Sequence, residues 1–199
     1  MTKNKYIDID ITNLPTPSFL VDERLLKKNL EVLKGVKDRT GCKILLAQKG
    51  FSMFYFYPLI GQYLDGTTAS SLFEAKLGYE EMEKKVSDKN IETHIFNPAY
   101  RDDEFDEILD LTNHIVFNSF NQWDKFKDRV FTKTKETGKK ISCGLRINPE
   151  FSEVETEIYN PAGRYSRFGV TLENFDEKRL SGLSDFIFMH FANRIRTLW

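Results

Sequence analysis

The chain has 199 residues, of which 30% are charged and 40% hydrophobic, and its formal net charge is −1 at pH 7. This composition predicts a globular protein of one domain or slightly more, and the near-neutral charge argues against nucleic acid or an anionic membrane as a partner. Two cysteines, Cys42 and Cys143, do not make a disulfide framework or a zinc cluster, so no metal site is expected. Residues 1–10 lack the apolar core of a signal peptide and no apolar run has the length of a membrane span, so we expect a cytoplasmic protein.

Apolar periodicity and capping residues predict strands that alternate with helices. The first expected elements are a short strand over residues 18–21 and a helix over residues 23–37, capped by Asp22. Further strands are predicted over residues 44–47, 65–69, 91–96, 114–118 and 140–147. Helices are predicted between them, over residues 52–64, 71–84, 102–110 and 121–137, with Ser70 as the cap of the second of these.

Short strands alternating with helices of about ten to fifteen residues favour a parallel sheet with helical crossovers. No Gly-x-Gly-x-x-Gly follows a strand and no phosphate-loop signature is present, so a nucleotide-binding fold is not supported. The predicted α/β fold is therefore a TIM-type (β/α)8 barrel, whose chemistry gathers at the carboxyl ends of the strands. Five polar residues are predicted to lie there: Lys49, Ser70, Asn97, Asn118 and Arg146. The two asparagines could equally be loop caps.

Lys49 follows four apolar residues, Ile44–Ala47, which predict a short buried strand. A lysine held at a strand end against apolar walls can lose its proton more readily than a free lysine. The neutral amine could then form a Schiff base with an aldehyde cofactor. The alternative is a solvated lysine that merely follows a strand.

A set of short segments carries a family resemblance. The segments are Thr16–Asp22, Leu46–Lys49, Asp65–Glu74, Ile95–Pro98, Gly144–Pro149 and Ser166–Gly169. Their order resembles the N-terminal half of the fold-type III pyridoxal-phosphate enzymes, the group of alanine racemase, ornithine decarboxylase and diaminopimelate decarboxylase. Within this group the chain is most similar to the carboxynorspermidine/carboxyspermidine decarboxylases.

The resemblance implies an alanine racemase-like barrel, pyridoxal 5′-phosphate as cofactor, and a homodimer. It implies that Lys49 carries the cofactor as a Schiff base, that Arg146 lies near the cofactor, and that Glu74 and Ser70 lie in the vicinity of the active site. The implied reaction is the decarboxylation of carboxynorspermidine or carboxyspermidine to norspermidine or spermidine in polyamine biosynthesis. The substrate amine would displace Lys49, CO2 would leave from the α-carbon, and the cofactor ring would take up the electrons.

Each of these residues also has a purely structural interpretation. Arg146 could pair with a structural carboxylate. Glu74 shares its predicted helix with Lys76 and Glu80, which is typical of a solvated face.

Two further groups of residues are candidates for a function. Arg164, Tyr165 and Arg167 could meet a substrate carboxylate through charge-assisted hydrogen bonds, or could belong to a loop that only shields the pocket. His94 and His114 fall inside predicted strands, where structural histidines are expected rather than catalytic ones.

The end of the sequence departs from the family. Where the family reads Phe-His-Ala-Leu-Cys-Glu-Gln-Asn, this chain reads Ile187-Phe-Met-His-Phe-Ala-Asn-Arg-Ile195. A permitted coding of Ile187–Ile195, read from its third base, spells the family sequence over all eight residues. We therefore expect a partial barrel domain over residues 1–186, cut after about five or six strands and lacking the family's C-terminal β domain. Residues 187–199 would be an out-of-frame tail in which His190, Arg194 and Arg196 have no evolved role. The opposing interpretation is a natural short form with its own C-terminal helix.

The sequence leaves three functional interpretations open. The first is the polyamine decarboxylase, with the shortened chain inactive by itself. The second is another enzyme of the same fold, a diaminopimelate decarboxylase or an amino-acid racemase. The third is a non-catalytic barrel protein that binds pyridoxal phosphate.

Overall fold

The computed structural model describes residues 12–154, 156–163 and 165–188. The chain divides into two compact units, residues 1–44 and 45–199. In the first unit, helix α1 spans Glu23–Thr40. The Asp22 carboxylate accepts hydrogen bonds from the backbone amides of Arg24 and Leu25, which confirms the predicted cap.

The predicted strand over residues 18–21 is wrong. These residues form no strand, and the side chain of Phe19 is 95% exposed. An extended segment becomes a strand only when its amides and carbonyls pair with a neighbouring strand. The apolar pattern of residues 18–21 could not reveal that this neighbour is absent among the described residues.

Strands and helices alternate along the described part of the second unit, except that only 3-10 turns precede its last strand. The strands are β1 (Leu45–Ala47), β2 (Gly66–Ala69), β3 (Glu92–Phe96), β4 (His114–Phe117), β5 (Ser142–Ile147) and β6 (Asp185–Phe188). The α-helices are α2 (Tyr57–Gly61), α3 (Leu72–Gly78), α4 (Phe105–Leu111) and α5 (Phe120–Thr137). A π-helical turn, Tyr79–Glu83, follows α3, and 3-10 turns span Phe54–Phe56, Glu157–Tyr159, Leu172–Asn174 and Glu177–Arg179.

Several predicted helices begin too early in the chain. The helix predicted over residues 52–64 is a 3-10 turn followed by the short α2, and the helix predicted from residue 102 begins at Phe105. The prediction that Ser70 caps a helix is wrong, because the cap of α3 is Ser71. Ser71 has the extended backbone of an N-cap, with φ −154° and ψ 167°, and its hydroxyl accepts the Glu74 amide.

The six strands form one parallel sheet in the order β1-β2-β3-β4-β5-β6. Each strand therefore pairs with the strand before it, as in the singly wound sheet of a TIM-type barrel, whereas a doubly wound sheet reverses direction part-way. The predicted α/β fold with parallel strands and helical crossovers is confirmed. Ile187 and Phe188, the first residues of the predicted tail, end β6, and the tail from residue 189 onward lies outside the described residues.

Side chains alternate between two faces of this sheet. One face packs against helices α3, α4 and α5 around buried aromatic residues. In this core Phe105 stacks on Phe126 with ring centroids 4.1 Å apart, and Trp123 packs against Phe117 at 5.1 Å. Such burial contributes about 1.5–3 kcal/mol for each large side chain. The helices thereby fix the sheet from one side and leave the other face to form a cavity.

None of the helices among the described residues combines the length and the apolar character that crossing a bilayer requires. Within the same residues, no group of three or more His, Cys, Asp or Glu side chains is arranged to hold a metal ion.

Candidate active site

A cavity of about 670 Å³ lies at the carboxyl ends of the strands. This volume is within the range of about 300–1,000 Å³ that is usual for small-molecule sites. Three residues predicted at strand ends, Lys49, Ser70 and Arg146, line it together. Lys49 follows β1, Ser70 follows β2 and Arg146 lies in β5. The parallel topology brings the carboxyl ends of these strands to one edge of the sheet, although long crossovers separate them along the chain.

Lys49 lies in a tight turn directly after β1. The Gly50 amide donates to the Ala47 carbonyl oxygen at 2.9 Å, and the Phe51 amide to the Gln48 carbonyl oxygen at 3.1 Å. The Lys49 side chain is exposed and lines the cavity, and no carboxylate among the described residues lies within ion-pair distance of it. The turn thus presents an accessible primary amine to the cavity.

The buried Tyr57 holds this turn in place through hydrogen bonds from its hydroxyl. Its hydroxyl donates to the Phe51 carbonyl oxygen at 3.2 Å and approaches Gln48 Oε1 at 3.4 Å. Ser52 adds a hydrogen bond from its hydroxyl to the Gln48 carbonyl oxygen at 2.5 Å. Burial raises the pKa of Tyr57 to about 12, so the hydroxyl keeps the proton that it donates.

Ser70 and Glu74 are joined by the cap of α3. The Ser70 amide donates to Glu74 Oε2 at 2.6 Å, while the Glu74 amide donates to Ser71 Oγ at 3.3 Å. This reciprocal arrangement is a variant of the capping box, whose Ser-x-x-Glu signal is visible in the sequence. Ser70 lines the cavity, whereas Glu74 is not among the residues that line it. The site role of Glu74 stays a prediction.

Arg146 is a buried cation, 5% exposed, whose guanidinium lies beside two aromatic rings. Its central carbon is 4.6 Å from the ring centroid of Phe96 and 4.4 Å from that of Phe168. No carboxylate among the described residues pairs with it, so the alternative of a structural ion pair finds no support there. Burial lowers the pKa of Arg146 to about 10, and the group still carries its charge at neutral pH.

The stack around Arg146 was missed by sequence reasoning. Phe96 ends β3, and alternation along that strand places it on the cavity face, which is a signal that could have been used. Phe168 lies in an irregular loop some twenty residues after β5, so no local pattern could have placed it beside Arg146.

The three loop candidates, Arg164, Tyr165 and Arg167, differ in their position relative to the cavity. Arg167 lines the cavity and its guanidinium lies 4.5 Å from the Phe168 ring centroid. Tyr165 is 90% exposed and does not line the cavity. Arg164 lies outside the described residues.

His94 and His114 stack on each other across β3 and β4, with ring centroids 4.8 Å apart. Each has a carboxylate beside it: His94 Nε2 is 2.8 Å from Glu92 Oε2, and His114 Nδ1 is 3.4 Å from Asp185 Oδ2. These contacts are those of structural histidines, as expected. His94 also lines the cavity, which the sequence did not reveal.

The buried histidine predicts a pH dependence of stability. Burial, and after it the neighbouring His94, lowers the pKa of His114 below the ordinary value of 6.5. The unfolded chain then binds more protons than the folded chain, so stability is lost as the pH falls below 6.5 towards the folded pKa. We expect His114→Phe, which keeps an aromatic ring in the stack, to lower this sensitivity. Thermal melts from about pH 7.5 to about pH 5 measure this sensitivity. If Tm fell equally with pH in the two proteins, His114 would not be the group responsible.

The charge of the cavity fits one kind of ligand. Its lining contains Lys49, Arg146 and Arg167 and, among the described residues, no aspartate or glutamate. A primary amine and a guanidinium without a counter-ion suit a ligand that combines a carbonyl group with an anionic group. Pyridoxal 5′-phosphate is such a ligand, and the residues present fit it on this ground.

The fold is shared with solved structures of fold-type III decarboxylases. The structure is similar to the crystal structure of carboxynorspermidine decarboxylase from Campylobacter jejuni complexed with norspermidine, with a TM-score of 0.73 and 37% identity over 88% of this chain and 41% of that chain. It also shares the fold of a Helicobacter pylori diaminopimelate decarboxylase complexed with L-lysine, with a TM-score of 0.65 and 20% identity over 90% of this chain and 45% of that chain.

Curated relatives narrow the class. A carboxynorspermidine/carboxyspermidine decarboxylase of Campylobacter jejuni is 39% identical over 89% of this chain and 42% of its own length. A carboxyaminopropylagmatine decarboxylase of Synechocystis is 37% identical over 89% of this chain and 42% of its own length. Over the matched residues the chain is a relative of the carboxynorspermidine/carboxyspermidine decarboxylases, and the predicted resemblance is confirmed. The chain spans about two fifths of these relatives, and no family model matches it.

Proposed function

We propose that this chain forms the lysine-bearing part of a pyridoxal 5′-phosphate-dependent decarboxylase that acts on carboxynorspermidine or carboxyspermidine. The observation that carries the proposal is the cavity that Lys49 and Arg146 share. It supplies a primary amine and a cation without a counter-ion in a chain related to decarboxylases of these substrates. A diaminopimelate decarboxylase or a racemase would need a specific feature in its favour, and the likeness to the Helicobacter pylori enzyme, at 20% identity, concerns the fold alone.

The proposed roles follow from the chemistry of each side chain. Lys49 would hold the cofactor through its Nζ, and the turn fixed by Tyr57 would keep that nitrogen at the cavity edge. Arg146 would face an anionic group of the cofactor or the substrate, because its guanidinium has aromatic rings beside it and no carboxylate partner among the described residues. When bound, the cofactor supplies an electron sink for the carbon–carbon bond that breaks as CO2 leaves.

The amines of a polyamine substrate need partners of their own. A cationic chain is held best by carboxylates, and the described cavity lining contains none. We propose that the groups that bind the polyamine amines lie outside the cavity described. Three related substrates therefore belong in one assay: carboxynorspermidine, carboxyspermidine and carboxyaminopropylagmatine, the last because a relative is named for it.

Two measurements test the proposal. Titration of the purified 199-residue chain with pyridoxal 5′-phosphate is expected to give a visible absorbance band that saturates at one cofactor per chain. Release of CO2 from the three substrates by the full-length protein is then measured with diaminopimelate as the comparison. A chain that binds no cofactor, or a preparation that decarboxylates diaminopimelate alone, would contradict the proposal. Cofactor binding with no release of CO2 from any of these substrates would indicate the non-catalytic binding protein instead.

The predicted domain boundary remains part of the proposal. We propose that the 199 residues alone do not turn over substrate, because the related decarboxylases extend well beyond the matched part. Sequencing the DNA from the codon of Ser181 onward tests this, since the proposed frameshift requires one base to be added or removed there. The corrected protein should release CO2 and the 199-residue chain should not. An intact reading frame would refute the frameshift.

Assembly and location are proposed from the resemblance. We infer a cytoplasmic homodimer, which sedimentation of the corrected protein and fractionation of the cells that contain it would test. A monomer at concentrations that support activity would refute the dimer.

A further inference from the structure

Phe168, the ring that covers the Arg146 guanidinium, lies in a loop between Gly163 and Val170 that contains no strand or helix among its described residues. Such a loop needs tertiary contacts to hold one conformation. One end of it is fixed by a short parallel bridge, in which the Val170 amide donates to the Arg146 carbonyl oxygen at 2.9 Å and the Asn148 amide to the Val170 carbonyl oxygen at 2.8 Å. The part that carries the ring is held by other residues.

Asn118 holds the loop on both sides of Phe168. Its Nδ2 donates to the Arg167 carbonyl oxygen at 2.8 Å, and its Oδ1 accepts the Gly169 amide at 2.8 Å. A side-chain amide can donate through its nitrogen and accept through its oxygen at the same time. These two hydrogen bonds cross 49 and 51 residues of sequence, so they are tertiary contacts rather than turn contacts.

The position of Asn118 is itself fixed. Its backbone amide donates to Gln122 Oε1 at 2.7 Å, and Gln122 Nε2 donates to the Asn97 carbonyl oxygen at 3.2 Å. The side chain of Asn97, by contrast, accepts a local hydrogen bond, from the Ala99 amide at 2.9 Å. The two strand-end asparagines therefore differ in what they hold, although the sequence presents them alike.

We propose that Asn118 is a positioning residue of the active site, which clamps the Arg167–Gly169 loop so that Phe168 covers Arg146 and the guanidinium is held ready for an anionic group. This inference rests on the proposed function for the identity of the ligand, but the clamp itself can be observed without any ligand. Its consequence is that Asn118 acts on binding through Phe168 and Arg146 and does not touch the ligand itself.

The spectroscopic test uses the ligand-free chain. A proton that lies over the face of an aromatic ring resonates upfield, so the Arg146 Nε–H signal in a ¹H–¹⁵N spectrum reports whether Phe168 covers the guanidinium. In Asn118→Leu, which is similar in size but neither donates nor accepts, we expect the part of this shift that Phe168 contributes to be lost, while the part from Phe96 remains. In the matched control Asn97→Leu, which removes a local hydrogen bond, we expect it to be retained.

The binding test uses inorganic phosphate and pyridoxal 5′-phosphate as probes. We expect Asn118→Leu to weaken both by roughly tenfold or more, since a hydrogen bond from a charged donor that is no longer held in place is worth about that much in affinity. Asn118→Asp keeps the acceptor for the Gly169 amide but loses the donor to the Arg167 carbonyl, so its affinity should lie between those of Asn118→Leu and the original chain. If Asn118→Leu does not fold, Asn118→Asp carries the test.

The outcomes separate this inference from the proposed function. An unchanged Arg146 signal and unchanged affinity in Asn118→Leu would overturn the clamp. Equal losses in the Asn97 and Asn118 variants would also overturn it, because they would indicate a general loosening of the strand ends. An original chain that shows the shifted signal but binds no pyridoxal phosphate would refute the proposed function and leave the clamp standing.

Discussion

Replacing Lys49 by alanine is expected to abolish the covalent attachment of pyridoxal 5′-phosphate to this chain. The turn after β1 holds the amine of Lys49 at the cavity edge, and a primary amine is required to bond the aldehyde carbon of the cofactor. Borohydride reduction followed by peptide mapping should find the label on Lys49 in the original chain. In Lys49→Ala the label should fall to the background set by surface lysines.

Two further variants show whether the amine or only its charge matters. Lys49→Arg keeps the positive charge of the cavity but cannot form the bond, so it should bind pyridoxal phosphate without covalent capture. Lys140→Ala removes an exposed lysine at the opposite end of the sheet, before β5, and should leave the labelling of Lys49 unchanged. Labelling spread evenly over many lysines in the original chain would contradict the assignment of Lys49 as the site of covalent attachment.

The placement of Lys49, Ser70 and Arg146 in one cavity could be predicted from the sequence because it depends on two regularities. Runs of apolar residues bounded by glycine or polar residues mark the strands locally. Parallel strands joined by helical crossovers then bring their carboxyl ends to one edge. Both steps need only short segments of sequence, so errors of two or three residues in the helix boundaries did not disturb them.

The environment of those residues could not be predicted, because it depends on contacts between distant segments. Asn97 and Asn118 occupy equivalent strand ends and have the same side chain, yet the loop at Arg167–Gly169 is held by Asn118. The difference arises from where that loop runs, which no local pattern records. The two aromatic rings that contact the Arg146 guanidinium likewise come from distant segments, not from Gly144–Pro149.

Glycines illustrate the same limit within a motif that the sequence did identify. Gly66 belongs to the segment Asp65–Glu74, whose residues supported the family resemblance. The sequence by itself gives no physical reason for a glycine at that position. In the structure it opens β2, where it pairs with Leu45 on one side and Glu92 on the other. The reason is the close approach of the neighbouring backbone.

Gly66→Ala is expected to destabilise the fold strongly, although it adds a single methyl group. A Cβ at Gly66 would lie 1.8 Å from the Glu92 carbonyl oxygen, and the backbone has φ 153°, which L-residues rarely adopt. The clash is with backbone, so relief requires β2 and β3 to separate and to lose their pairing. We expect a loss of about 4 kcal/mol in the free energy of unfolding, or about 10 °C in Tm for a chain of this length.

Gly138→Ala separates the clash from the backbone strain. Gly138 ends α5 with φ 72°, but a Cβ there would meet nothing within 4 Å. It should therefore cost only the left-handed backbone penalty of about 1–2 kcal/mol. Urea denaturation of both variants and the original chain provides the comparison. Equal losses of stability in the two variants would mean that the clash with Glu92 adds nothing at position 66, since backbone strain alone would then account for both.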